Sequence, residues 1–310
     1  MAPSSATASP GVQRPEQFGR VAVLLGGRSR QRELSLQSGS AVLSALKRRG
    51  LNVLAFDPGE RALHELMALG VDRAWIALHG PQHADGSVQG ALEILGLPFS
   101  GSGVLGSAVG ADKLRTKWLC DAIGVPTARC VVLRDASDLD TALDQLGLPL
   151  YVKPARQEAA IGISRVEAAG ELRAAWQSAL SLDPLVFAEP LVPGAEYTVA
   201  ILQGQALPSI RIEHVQGETR HHCPSGLSGQ AEQHIGRLAL AIFEACGAAG
   251  WGSADFRMDR TGRPLLLEIN TVPLMSERAM VPLAARAAGI GFDELVWRVL
   301  ETSLGSGTRH

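Results

Sequence analysis

Two short runs constrain the fold more than any other feature of the chain. Val21-Ala22-Val23-Leu24-Leu25 is apolar, partly β-branched and stops at Gly26-Gly27. Ala74-Trp75-Ile76-Ala77-Leu78 stops in the same way at His79-Gly80. Runs of this length, closed by turn residues, read as buried parallel strands. Between them lie a helical pattern over 35–49, with Val42, Leu43 and Leu46 on one side and Gly50 as a stop, and a strand over 52–56. Strand, helix, strand in this order predicts βαβ connections and a parallel sheet covered by helices.

The next block is more mixed. Helices are expected over 111–123, 137–146 and 171–180, and strands over 131–133, 150–154, 185–189 and 196–202. From residue 206 onward the pattern predicts a strand over 208–213 and a helix over 231–245. Two strands then flank the Asp259-Arg260-Thr261-Gly262 turn, over 253–258 and 264–270, before a last helix over 292–304. The expected division is a flexible tail over 1–19, an α/β domain over 20–112, a central α+β domain over 113–205 and a C-terminal α+β domain over 206–310.

Composition narrows the function. A formal charge of −2 over 310 residues argues against nucleic-acid binding, which needs a basic excess. No apolar run reaches the roughly 18 residues of a membrane span. The first residues lack the apolar core of a signal peptide. Four cysteines without CxxC spacing read as reduced thiols, and the expected location is the cytoplasm.

Three groups of residues carry chemistry. In a strand, residues i and i+2 share a face, so Glu268 and Asn270 point one way, opposite Leu267 and Ile269. A short turn brings that strand beside the one holding Asp255. Two carboxylates and an amide then converge, a donor set that suits Mg²⁺ completed by phosphate oxygens; a polar hairpin face is the alternative. Lys153 ends an apolar strand, with Lys113 upstream; lysines so held can neutralise nucleotide phosphates or simply stay solvated. Glu189 and Glu196 flank Pro193-Gly194 near a strand edge, where carboxylates can accept from ribose hydroxyls or an adenine amine.

Together these segments resemble the D-alanine–D-alanine ligase family of the ATP-grasp superfamily. Matching stretches include Arg32-Glu33-Leu34-Ser35-Leu36, Asp85-Gly86-Ser87-Val88-Gln89-Gly90, Asp112-Lys113-Leu114-Arg115-Thr116-Lys117, Val152-Lys153-Pro154-Ala155-Arg156 and Leu267-Glu268-Ile269-Asn270-Thr271. The resemblance implies a three-domain ATP-grasp fold, with ATP between the central and C-terminal domains. It implies phosphate contacts from Lys113 and Lys153, and adenine and ribose contacts from Glu189 and Glu196. It further implies Mg²⁺ (or Mn²⁺) at Asp255, Glu268 and Asn270, a small amino-acid substrate and a homodimer. The family's reaction activates a D-alanine carboxylate as an acyl phosphate, which a second D-alanine amine attacks, in peptidoglycan precursor synthesis.

The departures from the family gather on the amino-acid side. Gln31 stands where the family places a Glu on the first ammonium group; an amide brings no charge. The family's Gly-Ser-Ser loop falls within Gln157-Glu158-Ala159-Ala160-Ile161-Gly162, where both hydroxyls are lost, with Ala159 at a serine position, and Glu158 replaces a glycine. Trp251-Gly252-Ser253 replaces Trp-Gly-Arg, and losing one oxyanion donor costs about 10²–10³ in rate. Leu274 replaces a glycine, and Ala279 stands at a serine position, while His79 is kept. The lid expected between Ile212 and Cys223 is short, and its His221-His222 pair reads as a solvated loop. Three readings stay open: a ligase of the family working through repositioned groups, a ligase for another amino or carboxylic acid, and a nucleotide-binding paralogue that does not ligate.

Overall fold

The computed structural model describes residues 14–157, 160–215 and 217–304. The chain first builds β1 (Arg20–Leu24), α1 (Arg32–Arg48), β2 (Asn52–Phe56), the short α2 (Glu65–Ala68) and β3 (Arg73–Ile76), followed by α3 (Ser87–Ile94) and α4 (Val104–Gly110). β1 lies between β2 and β3, parallel to both, as the two apolar runs predict. The expected helix over 111–123 is α5 (Lys113–Ile123), separate from α4. The Asp112 side chain caps it, accepting from Arg115 N at 3.0 Å.

The second layer holds β4 (Val131–Val132), α6 (Ser137–Leu146), β5 (Leu150–Pro154), β6 (Ser164–Val166), α7 (Leu172–Leu180) and β7 (Val186–Pro190). Its sheet is antiparallel, in the order β4-β7-β5-β6. A third, antiparallel sheet is made by β8 (Glu196–Leu202), β9 (Gln205–Ala206), β10 (Ile210–Val215), β11 (Glu218–His222), β12 (Trp251–Met258) and β13 (Pro264–Asn270). α8 (Gly229–Ala245) covers one face of it through Ile235, Ala239, Ile242 and Phe243, which pack on Val199, Ala254 and Phe256.

The last helices, α9 (Met280–Ala287) and α10 (Phe292–Glu301), share the core of the N-terminal sheet. Trp75 meets Trp251 with ring centroids 5.5 Å apart, and Arg48, at the end of α1, and Arg49 just beyond it pair with Asp293 and Glu294. Met275 N donates to Ser38 Oγ at 3.1 Å, which ties the 271–279 segment to α1. The expected tail over 1–19 needs correction at its end. Pro15–Phe18 forms a 3₁₀ turn, and Phe18 is fully buried, edge-on to Trp297 at 4.9 Å. Residues 1–13 lie outside the described residues.

The expected loop at His221-His222 is also corrected. Val215 pairs with Glu218, so β10 and β11 form a tight hairpin that extends the third sheet. Burial alternates along β10, where Ile210 and Ile212 point inward, while β11 is polar throughout and is held by the strand pairing and by His222 Nε2, 3.0 Å from Glu213 Oε2.

Candidate active site

Residues opposite one another in a sheet share a face. Asp255 lies opposite Thr198 and Glu268, and Ser253 opposite Ala200 and Asn270. Arg257 lies opposite Glu196, which pairs with Ile212, and Ile212 with His221. One face of the third sheet therefore collects Asp255, Glu268, Asn270, Glu196 and His221, while the other packs on α8. The expectation for β13 holds only in part. The register slips between Asp255 and Phe256, so Asp255 faces Glu268 but Phe256 faces Leu266. Leu267 is the extra residue of this bulge and turns onto the site side, while Leu266 and Ile269 stay in the core.

Two cavities open on that face. The first, about 280 Å³, lies between the second and third sheets and is lined by Lys153, Tyr151, Glu189, Glu196 and Leu267. The second, about 420 Å³, is lined by Gln31 at the N-terminal end of α1, Leu34 from α1, His221, Ser253, Asn270, Leu274, Arg278, Ala279 and Met280. Lys113, Asp255 and Glu268 line both, and so form the wall where the two cavities meet.

The charges on this wall are paired. Lys113 Nζ lies 2.7 Å from Glu268 Oε2 and donates to Gln157 O at 2.6 Å. Thr198 Oγ1 donates to Asp255 Oδ1 at 2.7 Å. Removal from water, and then the charge of Glu268, push the Asp255 carboxyl up to about 7. Burial also opposes ionisation of Glu268, but Lys113 outweighs it and holds that carboxyl below its usual range. Val272 N donates to Asn270 Oδ1 at 3.0 Å, leaving the amide held beside the two carboxylates. Among the described residues no three His, Cys, Asp or Glu side chains gather as a metal group. Two facing carboxylates, one resisting ionisation, plus an amide oxygen still fit a hard divalent cation that takes its remaining ligands from phosphate.

Deeper in the first cavity, Glu189 is buried between two lysines. Lys153 Nζ is 2.5 Å from Oε1, and Lys117 Nζ is 2.7 Å from Oε2. Burial pushes the Glu189 carboxyl up, but Lys153 and Lys117 together hold it below the usual range. Glu196 lies at the cavity edge, 3.8 Å from Arg257 Nη2. All seven expected nucleotide and metal residues are thus brought together. Of the amino-acid set, Gln31, Ser253 and Ala279 line the second cavity, and Ala159 lies outside the described residues. His79 lines neither cavity: Nδ1 donates to Val272 O at 3.0 Å, and Nε2 lies 3.3 Å from Ser38 Oγ. Its burial pushes its pKa down to about 4, so the ring is neutral.

Lys117, Arg278, Met280 and Leu34 escaped the sequence reading as site residues. Lys117 left a signal, since it follows Lys113 by four residues and so shares its helix face. Arg278 left none, because it depends on how the 271–279 segment folds over α1.

The family model described as "D-ala D-ala ligase C-terminus" matches residues 119–301. The D-alanine–D-alanine ligase of Alkalilimnicola ehrlichii is 50% identical over 294 residues, covering 91% of this chain and 94% of the relative. The chain belongs to the D-alanine–D-alanine ligase family. That of Halorhodospira halophila is 48% identical and covers 95% of this chain and 99% of its own. Among solved structures, the D-alanine–D-alanine ligase of Bacillus anthracis complexed with ATP superposes with a TM-score of 0.84 at 30% identity, covering 92% of this chain and 97% of that one. The VanG D-Ala:D-Ser ligase of Enterococcus faecalis, at 23% identity and a TM-score of 0.83, covers 92% of this chain and 99% of that one and shares the fold. The three sheets described above are accordingly those of the ATP-grasp ligase fold.

Proposed function

We propose that this chain is an ATP-dependent carboxylate–amine ligase that joins D-alanine to D-alanine in cytoplasmic peptidoglycan precursor synthesis. The observation that carries the reading is the wall of Lys113, Asp255 and Glu268 shared by the two cavities. A phosphoryl group passing from a nucleotide to a carboxylate must cross from one cavity to the other there. In this reading Glu189 and Glu196 accept from the adenine amine and ribose hydroxyls, and Lys113 and Lys153 neutralise the phosphates. Asp255, Glu268 and Asn270 would hold Mg²⁺ or Mn²⁺, which supplies charge neutralisation at the moving phosphoryl group. The substrate carboxylate lies against the shared wall, with its body between Leu34, Met280 and Ala279. The amine of the second amino acid then attacks the acyl phosphate, expelling phosphate. The domain division 20–112, 113–205 and 206–310 belongs to this reading, with β8 paired across the last boundary, and so does a homodimer.

The test is phosphate release that requires both ATP and D-alanine, with D-alanyl-D-alanine as product. Release with another amino or carboxylic acid, and none with D-alanine, moves the substrate. A second reading, nucleotide binding without ligation, is favoured by one observation: Gln31, Ser253 and Ala279 leave the second cavity without the family's charged and hydroxyl groups at those positions. ATP binding with no phosphate release on any amino acid would select it.

A further inference from the structure

We propose that Lys117 is an electrostatic positioning residue of the nucleotide cavity: it takes up the charge of Glu189, so that Lys153 presents a net positive charge to a triphosphate. The inference rests on the ATP-binding reading above. The Lys117 side chain is only 2% exposed. Its ammonium donates to Thr127 Oγ1 and Ala128 O, each at 2.9 Å, and lies 2.7 Å from Glu189 Oε2 as an ion pair. Enclosed by these three oxygens, it does not line the cavity. Lys153, by contrast, lines the cavity and is 13% exposed.

Paired with Lys153 alone, a buried Glu189 would cancel its charge and leave the Lys153 side of the cavity without a net positive charge. With Lys117 on its second oxygen, the trio carries one net positive charge, set beside the cavity. In an interior where charges act through a low effective dielectric, one unit over such distances matters far more than at a surface. Lys117 also ties the cavity walls together. Thr127 Oγ1 donates onward to Leu266 O at 2.9 Å, so α5, β7 and β13 meet at this ammonium. A purely structural role must therefore be separated from the electrostatic one.

Calorimetry with ATP–Mg²⁺ and with adenosine, on the full chain, separates them. Adenosine carries no charge, so the ratio of the two dissociation constants reads the triphosphate alone. Lys117→Met removes the net charge, and the preference for ATP should fall about tenfold. Glu189→Gln raises the net charge, and the preference should rise, even if lost adenine contacts weaken both ligands. The double variant should return to the wild-type ratio, and Lys117→Arg should hold it. An unchanged ratio in Glu189→Gln overturns the proposal whether or not Lys117→Met folds. Equal weakening of both ligands in Lys117→Met also overturns it. A wild-type ratio near one means that the ATP reading itself has failed, and the proposal falls with it; a strong wild-type preference that ignores these substitutions overturns the Lys117 role alone.

Discussion

Lys113 Nζ and Glu268 Oε2 lie 2.7 Å apart on the wall between the two cavities. The lysine expected on a phosphate and a carboxylate expected on a metal are thus each other's counter-ion in the free protein. In the proposed reading, ATP with Mg²⁺ would supply each of them with a new partner, so that no bare charge would be left in the cavity.

Glu268→Ala therefore removes one ligand of the metal and the partner of Lys113 together. In the wild type, ATP with Mg²⁺ at 100 times Kd should stabilise the fold by about 2.7 kcal/mol. Scanning calorimetry should show this rise in Tm with wild type and little or none with Glu268→Ala. A variant that keeps the full shift would remove Glu268 from the metal set.

Ser253 lines the second cavity from β12, two residues along the strand from Asp255 and on the same face. In the proposed reading, a guanidinium at this position would restore the oxyanion donor that the family's Trp-Gly-Arg motif implies. Ser253→Arg should raise D-alanine-dependent phosphate release by about 10²-fold. A rate that does not move would mean that other groups already supply this stabilisation.

The tight β10–β11 hairpin brings His221 to the edge of the second cavity, where a longer lid would close it. Water then reaches an acyl phosphate more readily. Phosphate released per dipeptide formed should exceed one, most clearly at low D-alanine. Strict one-to-one coupling would show that the hairpin seals the site.

Much of this was legible in the sequence because it follows local patterns. Parallel strands announce themselves as apolar runs closed by glycine, and β13 spans 264–270 as its pattern predicts. The bulge at Leu267 was not legible, since a run of apolar residues looks the same in either register. β11 reads as a loop because every one of its residues is polar, and the apolar residue it lies beside, Ile212, belongs to β10. Lys117 carries no site reading in the sequence, because only the fold brings Glu189, Thr127 and Ala128 around it. Phe18 was assigned to a tail because its burial depends on Trp297, at the far end of the chain.

Phe18→Ala should empty the space against Trp297 and cost about 3–5 kcal/mol of stability in urea unfolding. A loss below about 1 kcal/mol would return residues 14–19 to the tail.

His79 makes stability depend on pH. Burial holds its pKa at about 4 in the folded state, against about 6.5 for the exposed ring. Between those values the unfolded chain binds the proton that the folded chain refuses. The contribution of the neutral ring is therefore complete above about pH 6.5 and is lost as pH falls to about 4, a change of about 3 kcal/mol. The Val272 carbonyl can only accept, so Nδ1 carries the proton and Nε2 accepts from Ser38 Oγ. Ser38 Oγ in turn accepts from Met275 N at 3.1 Å. Protonation at Nε2 would turn that acceptor into a donor and loosen the 272–275 segment, a wall of the second cavity, from the N-terminal sheet. Buried carboxylates that lose stability at still lower pH contribute to the wild type and to a His79→Gln variant alike. The difference between their urea-unfolding free energies should thus shrink from pH 6.5 to 4. A difference that stays constant across that range would show that His79 titrates normally and that its ring is not sealed from water.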